Sequence, residues 1–134
     1  MLILRTYKRA HRHAMRQIER QMIQAITNRK TWSNSNTRVV LWAGSPITTD
    51  PDHNKEEMRI YLHGNHIASY NTKNMSLEVN NCGWLTRTTK SRLNAIIQFV
   101  EGGLAGIYQK RGQWYLKRPN QSDVAMNDNA WLTV

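Results

Sequence analysis

The fold is decided by residues 59–70, which read Arg59-Ile60-Tyr61-Leu62-His63-Gly64-Asn65-His66-Ile67-Ala68-Ser69-Tyr70. Two alternating segments rich in β-branched and aromatic residues flank a Gly-Asn pair. Two residues of this type between such segments are typical of a tight β-hairpin. We therefore predict two antiparallel strands joined at Gly64-Asn65, with the rest of a sheet built around them.

Further strands are predicted on both sides of this hairpin. Residues 37–42 are also rich in β-branched and aromatic residues, and residues 76–79 are predicted as the strand that follows the hairpin. Residues 105–109 and 113–117 form a second hairpin across residues 110–112. Residues 131–134 could add an edge strand. Residues 45–57 and 119–129 are polar and contain prolines, so they are predicted to be loops.

Two helices complete the predicted fold. Residues 5–28 contain neither Gly nor Pro, and their apolar positions recur at helical spacing. The second helix is expected to begin after Thr88 or Thr89 and to end at Gly102-Gly103. The prediction is an α+β protein: an N-terminal amphipathic helix (residues 1–30), a linker (residues 31–36) and a compact unit (residues 37–134) with a mostly antiparallel sheet and a packed second helix, forming one domain overall.

Positive charge is concentrated near the N-terminus. The chain has 19 Lys and Arg against nine Asp and Glu, for a formal net charge of +10. Eight of these cations, but only one acid, Glu19, lie in residues 1–30. A basic segment attached to a nearly balanced remainder is typical of proteins that contact nucleic acid.

Three segments are candidate contacts for nucleic acid. In a helix, the arginines spaced three or four apart would form one stripe, suited to a row of phosphates. Cations and hydroxyls at the start of the second helix could hold an anion beside free backbone N–H groups. The turn of the second hairpin combines cations with neighbouring Tyr108, Trp114 and Tyr115, of which Tyr108 and one of the other two are expected in the core. The predicted binding residues are Arg5, Arg9, Arg12, Arg16, Arg20, Thr88, Thr89, Lys90, Arg92, Lys110 and Arg111.

Each candidate has an ordinary structural alternative. The arginine stripe could be a solvated helix face or could bind an acidic protein. The threonines could simply cap a helix that carries exposed basic residues, and the aromatic residues of the hairpin could belong to the core. The sequence alone leaves these alternatives open.

No catalytic, metal or cofactor site is predicted. The histidines have no CxxC or HxxxH spacing, Cys82 is a single cysteine, and the acidic cluster of residues 50–57 lies in one loop. No apolar run approaches the roughly 20 residues that span a bilayer, so we expect an intracellular, soluble protein with no membrane partner.

Two stretches resemble small proteins encoded by tailed bacteriophages. They are Tyr61-Leu62-His63-Gly64-Asn65-His66-Ile67-Ala68 and residues 83–96, Gly83-Trp84-Leu85-Thr86-Arg87-Thr88-Thr89-Lys90-Ser91-Arg92-Leu93-Asn94-Ala95-Ile96, followed by Tyr108-Gln109-Lys110 and Gln113-Trp114-Tyr115. The likeness covers roughly residues 37–117 and leaves out the basic helix. It implies a phage origin, and hence the host cytoplasm, but it implies no particular activity.

We therefore expect a non-catalytic protein that binds DNA or RNA through phosphates with low sequence specificity. An inhibitor or adaptor that binds a host protein complex is the first alternative, and a minor virion component is the second. Exposed edge strands and an amphipathic helix are also compatible with a homodimer.

Overall fold

The computed structural model describes residues 14–134. The predicted binding residues Arg5, Arg9 and Arg12 lie outside this range. Two helices and nine strands follow one another along the described chain. They are α1 (Gln17–Thr27), β1 (Trp32–Asn34), β2 (Thr37–Ala43), β3 (Glu56–Leu62), β4 (Asn65–Asn71), β5 (Leu77–Val79), α2 (Arg87–Glu101), β6 (Gly106–Lys110), β7 (Gln113–Lys117), β8 (Val124–Met126) and β9 (Leu132–Thr133).

The larger sheet has six strands in the order β1-β2-β3-β4-β5-β9, and every neighbouring pair is antiparallel. Its central hairpin is the one predicted from residues 59–70, but the turn consists of His63-Gly64, one residue earlier than expected. Both turn residues have positive φ, 51° and 79°, as the tight turns of such hairpins require. The register also shifts between Ile60 and Tyr61.

Both helices contribute to one hydrophobic core together with the sheet. Helix α1 contributes Met22 and Ile26, α2 contributes Leu93 and Ile96, and the sheet contributes alternate residues such as Ile60, all nearly fully buried. This confirms the predicted α+β fold, with an N-terminal helix and a second helix packed on an antiparallel sheet.

The start of each helix differs from the prediction. Helix α1 begins at Gln17 with Arg16 as its N-cap, and Ala14 to Arg16 are not helical, so the prediction of one continuous helix over residues 5–28 is wrong at these three residues. Helix α2 begins at Arg87, and its N-cap is Thr86 rather than Thr88 or Thr89. The Thr86 Oγ1 accepts a hydrogen bond from the Thr89 backbone N–H at 3.1 Å.

A three-stranded sheet, β6-β7-β8, is joined to the end of α2. The Asn94 side chain fixes this junction, because its Oδ1 accepts from the Ile107 N–H at 2.6 Å and its Nδ2 donates to the Ile107 carbonyl at 3.1 Å. Strand β8 lies inside the segment predicted as a loop. Similarly, the predicted linker over residues 31–36 is strand β1 and the turn into β2. Strands of three residues such as these are too short to show the periodicity that would have identified them.

A buried ion pair connects α1, α2 and the sheet. Glu19 Oε2 accepts from Arg92 Nη1 at 2.7 Å and from Ser91 Oγ at 2.5 Å, and the two charged side chains are 0% and 4% exposed. Arg92 Nε also donates to Thr37 Oγ1 on β2 at 3.0 Å. Glu19 Oε1 accepts from the Arg16 backbone N–H at 2.9 Å, so the same carboxylate also caps α1.

We predict that Glu19→Gln lowers the free energy of unfolding by about 3–5 kcal/mol, because it leaves the Arg92 guanidinium buried without its countercharge. Thermal and urea unfolding would measure the loss. Glu101→Gln is the matched control, since Glu101 is exposed at the end of α2 and its change should alter stability by less than about 0.5 kcal/mol. Equal stability of the two variants would contradict the prediction.

Candidate functional site

The predicted binding residues fall into separate parts of the described chain. Arg16 and Arg20 are exposed at the start of α1. At the start of α2, Thr88 and Lys90 are half-buried, whereas Thr89 is buried behind the helix cap. Lys110 and Arg111 are exposed at the β6–β7 turn. These residues thus belong to three different elements: the start of α1, the start of α2 and the β6–β7 turn.

Arg92 was predicted to contact an anionic ligand, and its position in the structure corrects this. Its side chain is enclosed by Glu19, Thr37 and Ser91, and only 3% of the residue is exposed. The guanidinium is therefore used inside the protein and is not available to a phosphate from solvent. Thr89, which is 1% exposed, is likewise part of the helix cap rather than of the surface.

The second hairpin also differs from the prediction in its aromatic residues. Either Trp114 or Tyr115 was expected in the core, and the structure shows that it is Trp114. Tyr108 was expected in the core, but it is only partly buried and stacks on Tyr115 with ring centroids 5.4 Å apart. The Tyr108 hydroxyl donates to Asp123, which raises the pKa of the phenol above its ordinary value.

A different surface gathers more rings and cations. The face of the six-stranded sheet opposite the two helices carries the side chains that alternate with the core positions of β2, β3 and β4. We call it the outer sheet face. Its aromatic and cationic residues are Arg38, Trp42, Lys55, Arg59, Tyr61, His66 and Trp131.

Cations lie over two of these rings. The Arg59 guanidinium carbon is 4.0 Å from the centroid of the Trp42 ring, and Lys55 Nζ is 5.8 Å from the same centroid. The guanidinium carbon of Arg38 is 4.9 Å from the centroid of the Tyr61 ring. These distances are within the range of attractive cation–π contacts, so each ring holds a cation beside it.

Tyr61 also begins a row of three rings on this face. Tyr61 and His66 stack with centroids 5.0 Å apart, and His66 meets Trp131 edge-on at 4.8 Å. Trp131 is the outermost of the three and is 44% exposed. Strand pairing explains the row, because Arg38 is opposite Tyr61 and Tyr61 is opposite His66 in the sheet.

Two carboxylates lie on the same face. Glu57 is buried, with Oε1 2.7 Å from Arg59 Nε and Oε2 3.8 Å from Lys55 Nζ, so its charge is largely balanced. Glu78 is exposed and borders a polar cavity of about 360 Å³ that also involves His66 and Trp131. The outer sheet face therefore carries both stacking surfaces and cations. Its electrostatic potential is less positive near Glu78.

Sequence reasoning missed the outer sheet face. Arg38, Val40 and Trp42 alternate with buried Thr37 and Val39, so the two faces of β2 could have been separated. The contact between Trp42 and Arg59 depends on the register of β2 and β3, which are joined by a loop of 12 residues (44–55). That register is not written in local sequence.

The surroundings of His66 on this face disfavour protonation of its ring. Its Nε2 lies 2.7 Å from Ser69 Oγ and 3.0 Å from the Ala68 carbonyl oxygen. Burial, and then the positive charge of Arg59, lower the pKa of His66 below its ordinary value of 6.5, against the smaller opposing effects of the Ala68 carbonyl and Glu57. Nearby, burial raises the pKa of the Cys82 thiol, which donates to the His66 carbonyl at 3.2 Å.

Comparison with known proteins identifies the family. The model of the family described as Kyanoviridae Gp96 protein matches residues 15–133. The chain is therefore a bacteriophage protein, as the sequence resemblance implied. It belongs to the Kyanoviridae Gp96 protein family. No curated protein and no solved structure matches the chain.

The family match corrects one sequence-based expectation. It begins at residue 15 and so includes α1, whereas the resemblance was expected to leave the N-terminal helix outside the shared unit.

Two further findings concern residues 14–134. Neither helix there is long and apolar enough to cross a membrane. No three His, Cys, Asp or Glu side chains in this range are grouped to hold a metal ion.

We predict that His66 titrates below pH 6.5 in the folded protein, as measured by the pH dependence of its ring signals in NMR spectra. The unfolded state then takes up the proton first as the pH falls. Stability is therefore highest above the unfolded pKa and is lost as the pH falls from 6.5 towards the lower folded pKa. In a His66→Gln variant this part of the loss should disappear. A folded-state midpoint at or above 6.5 would contradict the prediction.

Proposed function

We propose that the chain binds single-stranded nucleic acid without catalysis, through phosphate contacts and through bases stacked on the outer sheet face. The observation that carries this proposal is the pairing of cations with rings on one open surface: Arg59 over Trp42 and Arg38 over Tyr61, at 4.0 and 4.9 Å. Stacking platforms next to cations are what a single strand needs, because its bases and phosphates are both accessible.

The arginines can serve in two ways on this face. A guanidinium is planar, so its free side can stack on a base while its N–H groups pair with phosphate oxygens. Arg38 is exposed, and Arg59 is partly buried through its ion pair with Glu57. We therefore expect Arg38 to contact phosphate and Arg59 mainly to orient the Trp42 ring.

The charge distribution favours one path across the face. Glu78 would repel phosphates near the cavity that it borders, whereas the side with Arg38 and Tyr61 has no carboxylate among its ring and cation contacts in the described chain. The phosphates of the proposed strand thus lie on the side of Arg38 and Tyr61, whereas Trp131, which borders the cavity with Glu78, would stack on an uncharged base. Rings and cations distinguish bases poorly, which supports low sequence specificity.

A salt titration tests the proposal. The binding affinity is measured at two or more salt concentrations for oligonucleotides of equal length without terminal phosphates. Single-stranded and duplex forms of both DNA and RNA are compared. We expect tighter binding to single strands, with a log–log slope of about −0.7 per phosphate contacted. Arg38→Gln should reduce the magnitude of this slope by about 0.7.

Arg111→Gln is the matched control for Arg38→Gln, since it removes the same charge at the exposed β6–β7 turn. A larger loss with Arg111→Gln would move the interface to that turn and contradict the proposed face. Binding that is weak and insensitive to salt would contradict nucleic-acid binding altogether, and a host protein partner would then be the function to test.

The contribution of stacking is tested by Trp131→Ala. Removing one stacking ring should weaken binding to single strands by about 5-fold to 100-fold, while duplex binding changes less. Phe99→Ala is the control, because Phe99 is also an exposed ring but lies near the end of α2, outside the outer sheet face. Thermal unfolding should show both variants folded. Equal losses of strand affinity in the two variants would contradict stacking on this face.

A further inference from the structure

A second recess lies on the opposite side of the central hairpin, where α2 begins. It is a cavity of about 240 Å³ between the β3–β4 turn, the turn at Asn81 and the first residues of α2. We call it the helix-start pocket. Its lining includes Leu62, Ile67, Asn81, Trp84 and Thr88, and no carboxylate. An anionic group would therefore meet no negative charge among the residues that line it.

Asn81 provides an unused hydrogen-bond donor at this pocket. The residue is 0% exposed, and its Oδ1 accepts from the backbone N–H groups of Gly83 at 2.8 Å and Asn129 at 2.9 Å. These two bonds fix the orientation of the amide. Its Nδ2 is buried and has no hydrogen-bond partner in the described chain. A buried donor without a partner is rare and destabilising, so an acceptor supplied by a ligand would remove the cost.

The start of α2 adds a second preference for an acceptor. Helix N-termini attract anions, because backbone N–H groups there lack partners within the helix and the helix dipole is positive at that end. Acidic residues are enriched in the first turn of helices, but the first turn of α2 has none. The Thr86 side chain satisfies the Thr89 N–H, and Thr88, which lines the pocket, lies between them at the second position of the helix.

An exposed ring stands beside these donors. Trp84 is 58% exposed, and Leu62 and Ile67 give the pocket an apolar floor. A flat ring could be held between this floor and the indole. The volume is slightly below the usual range of ligand pockets, about 300–1,000 Å³, so the recess suits one ring with its polar substituent left at the rim.

We propose that the helix-start pocket binds one nucleoside monophosphate unit, with its base against Trp84 and its phosphate at the start of α2. Asn81 Nδ2 donates to an acceptor on the base. The unit could be a free nucleotide or the phosphorylated end of a strand, since the recognised chemistry is the same. This site is separate from the outer sheet face and does not depend on the function proposed for it.

The experiment uses the full chain and four nucleoside monophosphates, the matching nucleosides and inorganic phosphate. Affinity is measured by calorimetry, and the side-chain amide signal of Asn81 is followed by NMR. At least one nucleotide should bind more tightly than its nucleoside and than phosphate, and it should shift the Asn81 signal. No nucleotide binding, or binding that leaves the Asn81 signal unchanged, would overturn the proposal.

Two variants identify the site. Trp84→Ala should weaken nucleotide binding about tenfold through lost stacking, whereas Phe99→Ala, near the end of α2 and outside both proposed sites, should leave it within about twofold. Thr88→Glu places a carboxylate in the first helical turn, where the dipole favours it, so the protein should stay at least as stable. The same carboxylate should abolish the preference for nucleotide over nucleoside. Unchanged nucleotide affinity in both pocket variants would overturn the proposal.

The two sources of the ligand are separated by an oligonucleotide with and without a terminal phosphate. Tighter binding of the phosphorylated strand, lost in Thr88→Glu, identifies a strand end as the ligand. Equal binding of the two strands together with tight binding of a free nucleotide identifies the free nucleotide. Either result supports the site. If strands bind through the outer sheet face but no phosphate is recognised in any form, the pocket proposal fails while the first proposal stands.

Discussion

The rest of the structure depends on one buried ion pair, between Glu19 and Arg92. Their contact at 2.7 Å lies where α1, α2 and the sheet meet, and Ser91 and Thr37 supply further hydrogen bonds. Burying two charges is costly unless their geometry and remaining hydrogen bonds are well satisfied. Here those bonds come from three different elements and from the N-cap of α1. The ion pair thus specifies the relative position of the two helices. Apolar contacts specify that position less well because they are non-directional.

Because both helices of residues 14–134 are fixed on one side of the sheet, neither of them covers the opposite side. The outer sheet face carries aromatic rings that neither helix contacts. Cations cover two of these rings in part: Arg59 lies over Trp42 and Arg38 lies over Tyr61. A base could replace the guanidinium over the ring at a modest cost in free energy, because the ring would still have a planar group stacked on it. The packing of the helices and the candidate interface are therefore two consequences of the same arrangement.

The sequence predicted what depends on local pattern. The central hairpin, the second helix and the α+β class follow from period and turn residues, and they were confirmed. Glu19 shows where this reasoning failed: it was counted as the one acid among many cations, yet it is four residues after Met15 and three before Met22, on the apolar side of α1. Arg92 occupies a similar place, four residues before Ile96. A charge at a core position in each helix indicates a buried pair. The outer sheet face could not be found this way, because it depends on strand register between distant residues.

The basic character of the chain does not reside in the N-terminal residues alone. Fifteen of the 19 Lys and Arg lie in residues 14–134, together with all nine Asp and Glu. Several of these acids are engaged: Glu19 with Arg92, Glu56 with Arg29, and Glu57 with Arg59 and Lys55. The exposed excess is therefore positive even where the family match applies, over residues 15–133. In the proposed function, the arginines before residue 14 would add long-range attraction to a surface that already has its own rings and cations, and the outer sheet face would supply the contacts that order the ligand.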